Sequence, residues 1–304
     1  MSNLTNELAQ FAASYSQDDV PQHLLEKIGR RFAILTALAA EGANTDGVSS
    51  MLSVIKELSD SCAVGLLGRE ERLSVVDAPI VTGSSIANSL TKMSGSFEGN
   101  WFDAAIVAAA ISAGESRDIR GVDLLCSLVV ASEVGMRVES AMTPDLTELG
   151  WAPGCVASIF GAATVAGRCF GLGANSFIST FGLAATQVSG FATSQLSDLG
   201  EFAVGKAAGD GTEAALLSKL GFSGPLAPIE GRRGLVELLT PGGRSTKRVT
   251  QDLGKVWQVE VLEDRLELSA KLKFQRTFAV GLQLASATNL ADLHQASRED
   301  VRSM

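Results

Sequence analysis

Two carboxylates and one thiol in this 304-residue chain sit where their neighbours could make them reactive. Glu98 lies within the run Phe97-Glu98-Gly99-Asn100-Trp101-Phe102, and burial among those aromatic rings would raise its pKa toward that of a general acid or base. The alternative is a solvated loop glutamate. Glu201, beside Phe202, is either a second acid/base group or a carboxylate placed at a helix start, where free N–H groups favour it. Asp103 reads as such an N-terminal carboxylate. Cys155 opens a helix, a position that stabilises a thiolate, but no histidine accompanies it and a small buried filler is the simpler reading. The two histidines, His23 and His294, stand near opposite ends of the chain, the first exposed in an early helical turn and the second in a polar C-terminal stretch. Lys206 reads as structural, and Ser96, Ser158 and Thr193 belong to no G-x-S-x-G elbow.

Composition narrows the classes. An apolar fraction of 46% with 19% charged residues describes a compact folded chain. The net charge of -9 lacks the basic footprint that nonspecific nucleic-acid binding needs. Cys62, Cys126, Cys155 and Cys169 are scattered without C-x-x-C spacing, so reduced thiols and no zinc site are expected. The opening residues carry no basic or apolar leader, and no apolar run reaches spanning length; a cytoplasmic protein with no membrane contact is expected.

The elements that must position these groups are mostly helices. Leu4, Leu8, Phe11 and Ala12 form an amphipathic stripe, and Pro21 opens a helix running to Gly42. Further helices are expected at 50–67, 84–93, 102–113, 122–142, 153–170, 174–187, 201–220 and 277–284. The runs 105–113 and 156–167 are apolar on nearly every side and rich in Ala and Gly, which suits close packing inside an all-α bundle. Past Pro241-Gly242-Gly243, residues 256–261 alternate as a half-buried strand would, and residues 297–304 read as a frayed polar tail.

The segment GWAPGCVASIFGAA (150–163), followed by GRCFGLGANSFISTFGLAATQVSG and GKAAGDGTEAALLSKLGFSGP, resembles the MmgE/PrpD family. That family includes 2-methylcitrate dehydratase, cis-aconitate decarboxylase and iminodisuccinate epimerase. The likeness extends through the turn at Glu230–Leu235, Leu8–Ala12, the start near Pro21 and GVDLLCSLVVASEVGMRV. It implies a mainly α fold, with a large helical domain at 1–243 and, at 244–304, a shortened remnant of the α/β lid with a strand, a helix and the tail. It also implies a homodimer, a site between domains for small carboxylic acids, and no metal or organic cofactor.

The family's catalytic positions are changed here. Its H-A-x-D-F-D-D-T stretch falls on 93–103, putting Met93 at the first histidine, Ser96 and Glu98 at the aspartates, and Trp101 or Phe102 near the second histidine. G-x-H-P-T-G becomes Gly150-Trp151-Ala152-Pro153-Gly154-Cys155, with Ala152 at the histidine. K-x-L-H-x-G becomes Gly200-Glu201-Phe202-Ala203-Val204-Gly205, losing a lysine and a histidine. The resemblance therefore gathers Met93, Ser96, Phe97, Trp101, Phe102, Trp151, Ala152, Cys155 and Phe202 as substrate-binding residues, with Glu98 and Glu201 as acid/base groups. Trp151 serves equally as a core or interface anchor. An aromatic pocket with carboxylates would repel a citrate-like polyanion. The expectation is isomerisation, dehydration or cyclisation of a largely apolar, polyketide-like metabolite. A noncatalytic binding or partner-stabilising paralogue and a carboxylate-based hydratase or epimerase are the alternatives.

Overall fold

A computed structural model describes residues 3–94, 102–142, 146–194, 197–240, 246–262, 273–284 and 289–303. Its described elements are α1 (Leu4–Ser14), α2 (Gln22–Gly42), α3 (Asp46–Leu58), β1 (Val64–Gly65), β2 (Arg72–Leu73), α4 (Asp77–Ser94), α5 (Phe102–Glu115), α6 (Gly121–Glu139) and α7 (Cys155–Cys169). There follow α8 (Ala174–Thr186), α9 (Asp198–Lys219), α10 (Leu235–Leu239), α11 (Lys247–Thr250), α12 (Gln275–Leu282) and α13 (Leu290–Arg302), with 3-10 turns at Gln17–Asp19, Ala192–Ser194 and Gln258–Val261. The fold is mainly α.

The Ala/Gly-rich runs form the centre. Helix α7 packs against α5, α6, α8 and α9, and all its residues but Arg168 are buried. Glycines on two neighbours permit this: a Cβ at Gly135 of α6 would lie 2.4 Å from the Ala157 carbonyl oxygen, and one at Gly211 of α9 only 2.8 Å from that of Ile159. The crossings are set by backbone meeting backbone.

Three expectations are corrected. The third helix stops at Leu58 rather than 67, because residues 64–66 turn Val64 and Leu66 into a small core with Val48, Leu52 and Leu73 beside the antiparallel pair β1–β2. Residues 256–261 are not a strand. Trp257 and Val259 are buried as the alternation requires, but they pack on α1 and α6 around a 3-10 turn, and Val261 is 73% exposed. The tail is not frayed: α13 is capped by Asn289, which accepts from Asp292 N, and it buries Leu293, Ser297 and His294. His294 is therefore a core residue, its Nε2 2.8 Å from Glu115 Oε2. His23 is exposed as expected, against Glu260.

A buried ion pair fastens residues 248–259 to the bundle. On α6, Arg137 faces Glu133 with side chains 2% and 0% exposed. Arg137 also donates to the carbonyls of Val249 (3.1 Å), Gln251 (2.8 Å) and Val256 (2.6 Å), while Glu133 accepts from Val259 N at 3.1 Å. Burial pushes the Glu133 carboxyl up, and the Arg137 charge and hydrogen bonds oppose this. Arg137→Met would leave a buried carboxylate unpaired and is expected to lower stability by about 3–5 kcal/mol, whereas Glu133→Leu/Arg137→Met together should cost less; urea denaturation of both checks this.

Glu115, at the end of α5, joins β1, β2 and α13 by accepting from Gly65 N, Arg72 and His294. Burial would raise its carboxyl, but the hydrogen bond and charge of His294, then Gly65 and Arg72, outweigh it and hold the group below its ordinary value. A carboxyl depressed on folding contributes stability above its unfolded pKa and loses it as pH falls through the folded one. Protection factors across α13, with the intrinsic exchange rate at each pH divided out, are expected to fall as pH drops below the ordinary glutamate range, and Glu115→Gln should flatten that dependence. An unchanged pH profile in the variant would remove Glu115 as the cause.

Candidate functional site

The start of α7 is built by a short strap. Gly150 and Gly154 take left-handed φ values of 90° and 73°, letting the chain reverse before Cys155. Residues 150–152 are pinned to 190–192 by Ala152 N to the Gly190 carbonyl (3.2 Å) and Ala192 N to that of Gly150 (2.9 Å). Trp151 stacks on Phe191 at 6.1 Å. Facing this strap, α9 presents Gly200, Ala203, Val204 and Ala207 at i, i+3, i+4 and i+7.

Between them lies a cleft lined by Ala152, Pro153, Cys155, Ser158, Ser189, Gly190 and Ser194 with those four α9 residues. Its volume is about 30 Å3, room for a couple of waters at most. The lining is small and uncharged. The free N–H groups of α7 that would draw an anion there are already engaged: Glu139 accepts from Gly154 N (3.0 Å) and Ala157 N (2.7 Å).

The residues expected to share one site are divided. Ala152 and Cys155 line the cleft. Trp151 is half-buried beside it, and Phe202, 40% exposed, follows Glu201 on α9. Glu201 lies outside the lining, on the α4 side of α9, where Asn88 Nδ2 donates to its Oε2 at 2.8 Å. Burial raises the Glu201 carboxyl; the Asn88 hydrogen bond pulls it down, Asp198 pushes it up and Lys92 lowers it. Met93, half-buried, follows Lys92 at the end of α4. Phe102 is corrected: it is 1% exposed inside the main core, because α5 is buried on all sides, so it is no pocket wall. Ser96, Phe97, Glu98 and Trp101 lie outside the described residues. Asp103, in the first turn of α5, is buried against Arg31, and Lys206 pairs with Asp210 one turn on. Sequence reasoning missed Asn88 and Glu139, whose partners are 113 and 15–18 residues away; no local pattern marks either.

The MmgE/PrpD N-terminal domain matches residues 6–247. The chain belongs to the MmgE/PrpD family. A cis-aconitate decarboxylase of Aspergillus terreus is 25% identical over 281 residues, covering 87% of this chain and 57% of the relative. The corresponding protein of A. terreus strain NIH 2624 is 24% identical over 318 residues, covering 96% and 64%. A cis-aconitate decarboxylase-like protein, oryM, of Aspergillus oryzae is 25% identical over 301 residues, covering 91% and 62%. The chain thus spans about three-fifths of the length of these curated relatives. Against the family pattern, the cleft has a pointed composition. Ala152, Gly200 and Ala203, aligned with a family histidine, lysine and histidine, all line it. Ala152 and, about fifty residues on, the neighbouring turn of Gly200 and Ala203 meet in one space.

Removing the Asn88 amide takes away the contact that lowers the Glu201 carboxyl. Asn88→Ala is expected to move the Glu201 titration, followed by carbon-13 NMR of the side-chain carboxyl, to higher pH; a shift the other way would contradict this environment.

Proposed function

We propose that this chain is a cofactor-independent lyase or isomerase of the MmgE/PrpD family whose substrate is a largely apolar, polyketide-like metabolite, isomerised, dehydrated or cyclised in the cleft between α7 and α9. One observation supports the reading: Ala152, Gly200 and Ala203, which the family resemblance matches to basic groups, line the same cleft. Proton removal next to a carboxylate needs a base and a fixed cation for the developing enolate. A lining of Ala, Gly, Ser, Val, Pro and Cys offers neither, and Glu139 already holds the N–H groups of α7. What such a cleft can do is desolvate and fold a flexible substrate into a reactive conformer; a proton relay through Glu201 further requires its carboxyl to leave Asn88 and turn from the α4 side of α9 toward the cleft.

The volume of about 30 Å3 favours a second reading. A substrate enters only when residues 189–194 move away from α7, and a chain in which they never do is a noncatalytic, partner-stabilising paralogue. Turnover separates the two. The purified chain is expected to leave cis-aconitate and citrate unchanged, with no proton exchange into either, and to convert an apolar polyketide-type substrate. Glu201→Gln should slow that conversion by about 10–100-fold if it relays the proton. Decarboxylation of cis-aconitate would overturn the apolar reading. Absence of any conversion, with full-length relatives stabilised by this chain, would establish the second.

A further inference from the structure

At the opposite end of α7, roughly 20 Å from Cys155 by helical rise, Arg168 is largely buried with no carboxylate on it. Its Nε donates to Ser127 Oγ at 3.1 Å, Nη1 to the Ala12 carbonyl at 2.6 Å, and Nη2 to the Tyr15 carbonyl at 2.6 Å and the Cys126 sulfur at 3.7 Å. All four acceptors are neutral, and four of its five N–H groups are engaged. The other shielded guanidiniums differ: Arg137 faces Glu133, Arg31 faces Asp103 and Arg69 faces Glu71. Desolvation pushes the Arg168 pKa down, as expected for a cation without a counter-ion.

Arg168 borders a cavity of about 380 Å3, within the range of small-molecule sites and more than ten times the volume of the cleft. Its polar wall is Arg168 with Ser16, Gln17, Asp123, Cys126 and Ser127; Ala13 and Leu172 are among its apolar walls. The Asp123 carboxylate is held by Arg120 at 2.7 and 3.1 Å; its charge favours the Arg168 cation from a distance, but it makes no hydrogen bond to it. Two more cations stand at this end of α7: Arg117 and Lys219 lie over the Phe170 ring at 5.4 and 5.7 Å, and neither has an ion-pair partner among the described residues.

We infer that this cavity is a second binding site, for a small organic molecule bearing one oxyanion group, a carboxylate or a phosphate, against Arg168 and an apolar remainder against Ala13 and Leu172. Asp123 at the rim disfavours polyanions, which selects a single charged head.

The test uses the whole chain with hexanoate and phenyl phosphate as probes at constant ionic strength, and hexanol as the uncharged control. Saturable binding by calorimetry is expected for one or both anions and not for hexanol, with a melting temperature raised by roughly 3–6 °C at a hundredfold the Kd. Which anion binds identifies the head group. Ala13→Phe fills the apolar end without replacing Arg168 and should weaken binding at least tenfold; Arg168→Lys, which keeps a charge but has too few N–H groups to hold the four internal acceptors and an anion together, should do likewise if it folds. Absence of saturable binding by both anions, equal binding of hexanol, or undiminished affinity in Ala13→Phe would overturn the assignment.

Discussion

A helix enclosed on every side can bring its backbone against a neighbour's only where a small residue stands between them, and α7 does so at two crossings. Its packing against α6 and α9 is close because Gly135 and Gly211 leave no Cβ between the backbones. With the shaft of α7 so tightly filled, open space is left at its two ends. The cleft forms at the first turn, against α9 and the strap at 190–192, and the Arg168 cavity forms at the last, against α1 and α6. The charges follow the helix dipole: a carboxylate, Glu139, at the N-terminus and a guanidinium, Arg168, near the C-terminus.

The helices were legible because their signals are local. Apolar periodicity, Pro21 and the glycine stops lie within a turn or two of the ends they mark, and the helical body follows them closely. Residues 256–261 were misread because period-two alternation records which side chains are buried, and a 3-10 turn against α1 and α6 buries Trp257 and Val259 as well as a sheet would. The C-terminal helix was misread for the complementary reason. A polar composition says nothing of a histidine buried against Glu115, 179 residues earlier in the chain.

The site was legible only in part. The family pattern pointed to Ala152 and to the Gly200–Ala203 segment, and these meet in one cleft. Of the expected aromatic residues, Trp151 is half-buried beside the cleft, Phe102 turns into the core and Phe202 belongs to the outer part of α9, while Phe97 and Trp101 lie outside the described residues. Loss of charge at a site can be read from sequence one position at a time. What replaces it depends on which helix face each side chain occupies, and neighbouring α9 residues diverge: Gly200 lines the cleft while Glu201 faces Asn88 on α4.

The position of Glu139 carries a consequence for engineering. Placing imidazole or ammonium groups at 152, 200 and 203 would add bases to the cleft, yet Glu139 would stay hydrogen-bonded to the Gly154 and Ala157 amides at the start of α7. A design that adds cations to the cleft therefore has to treat that resident carboxylate as part of the same change.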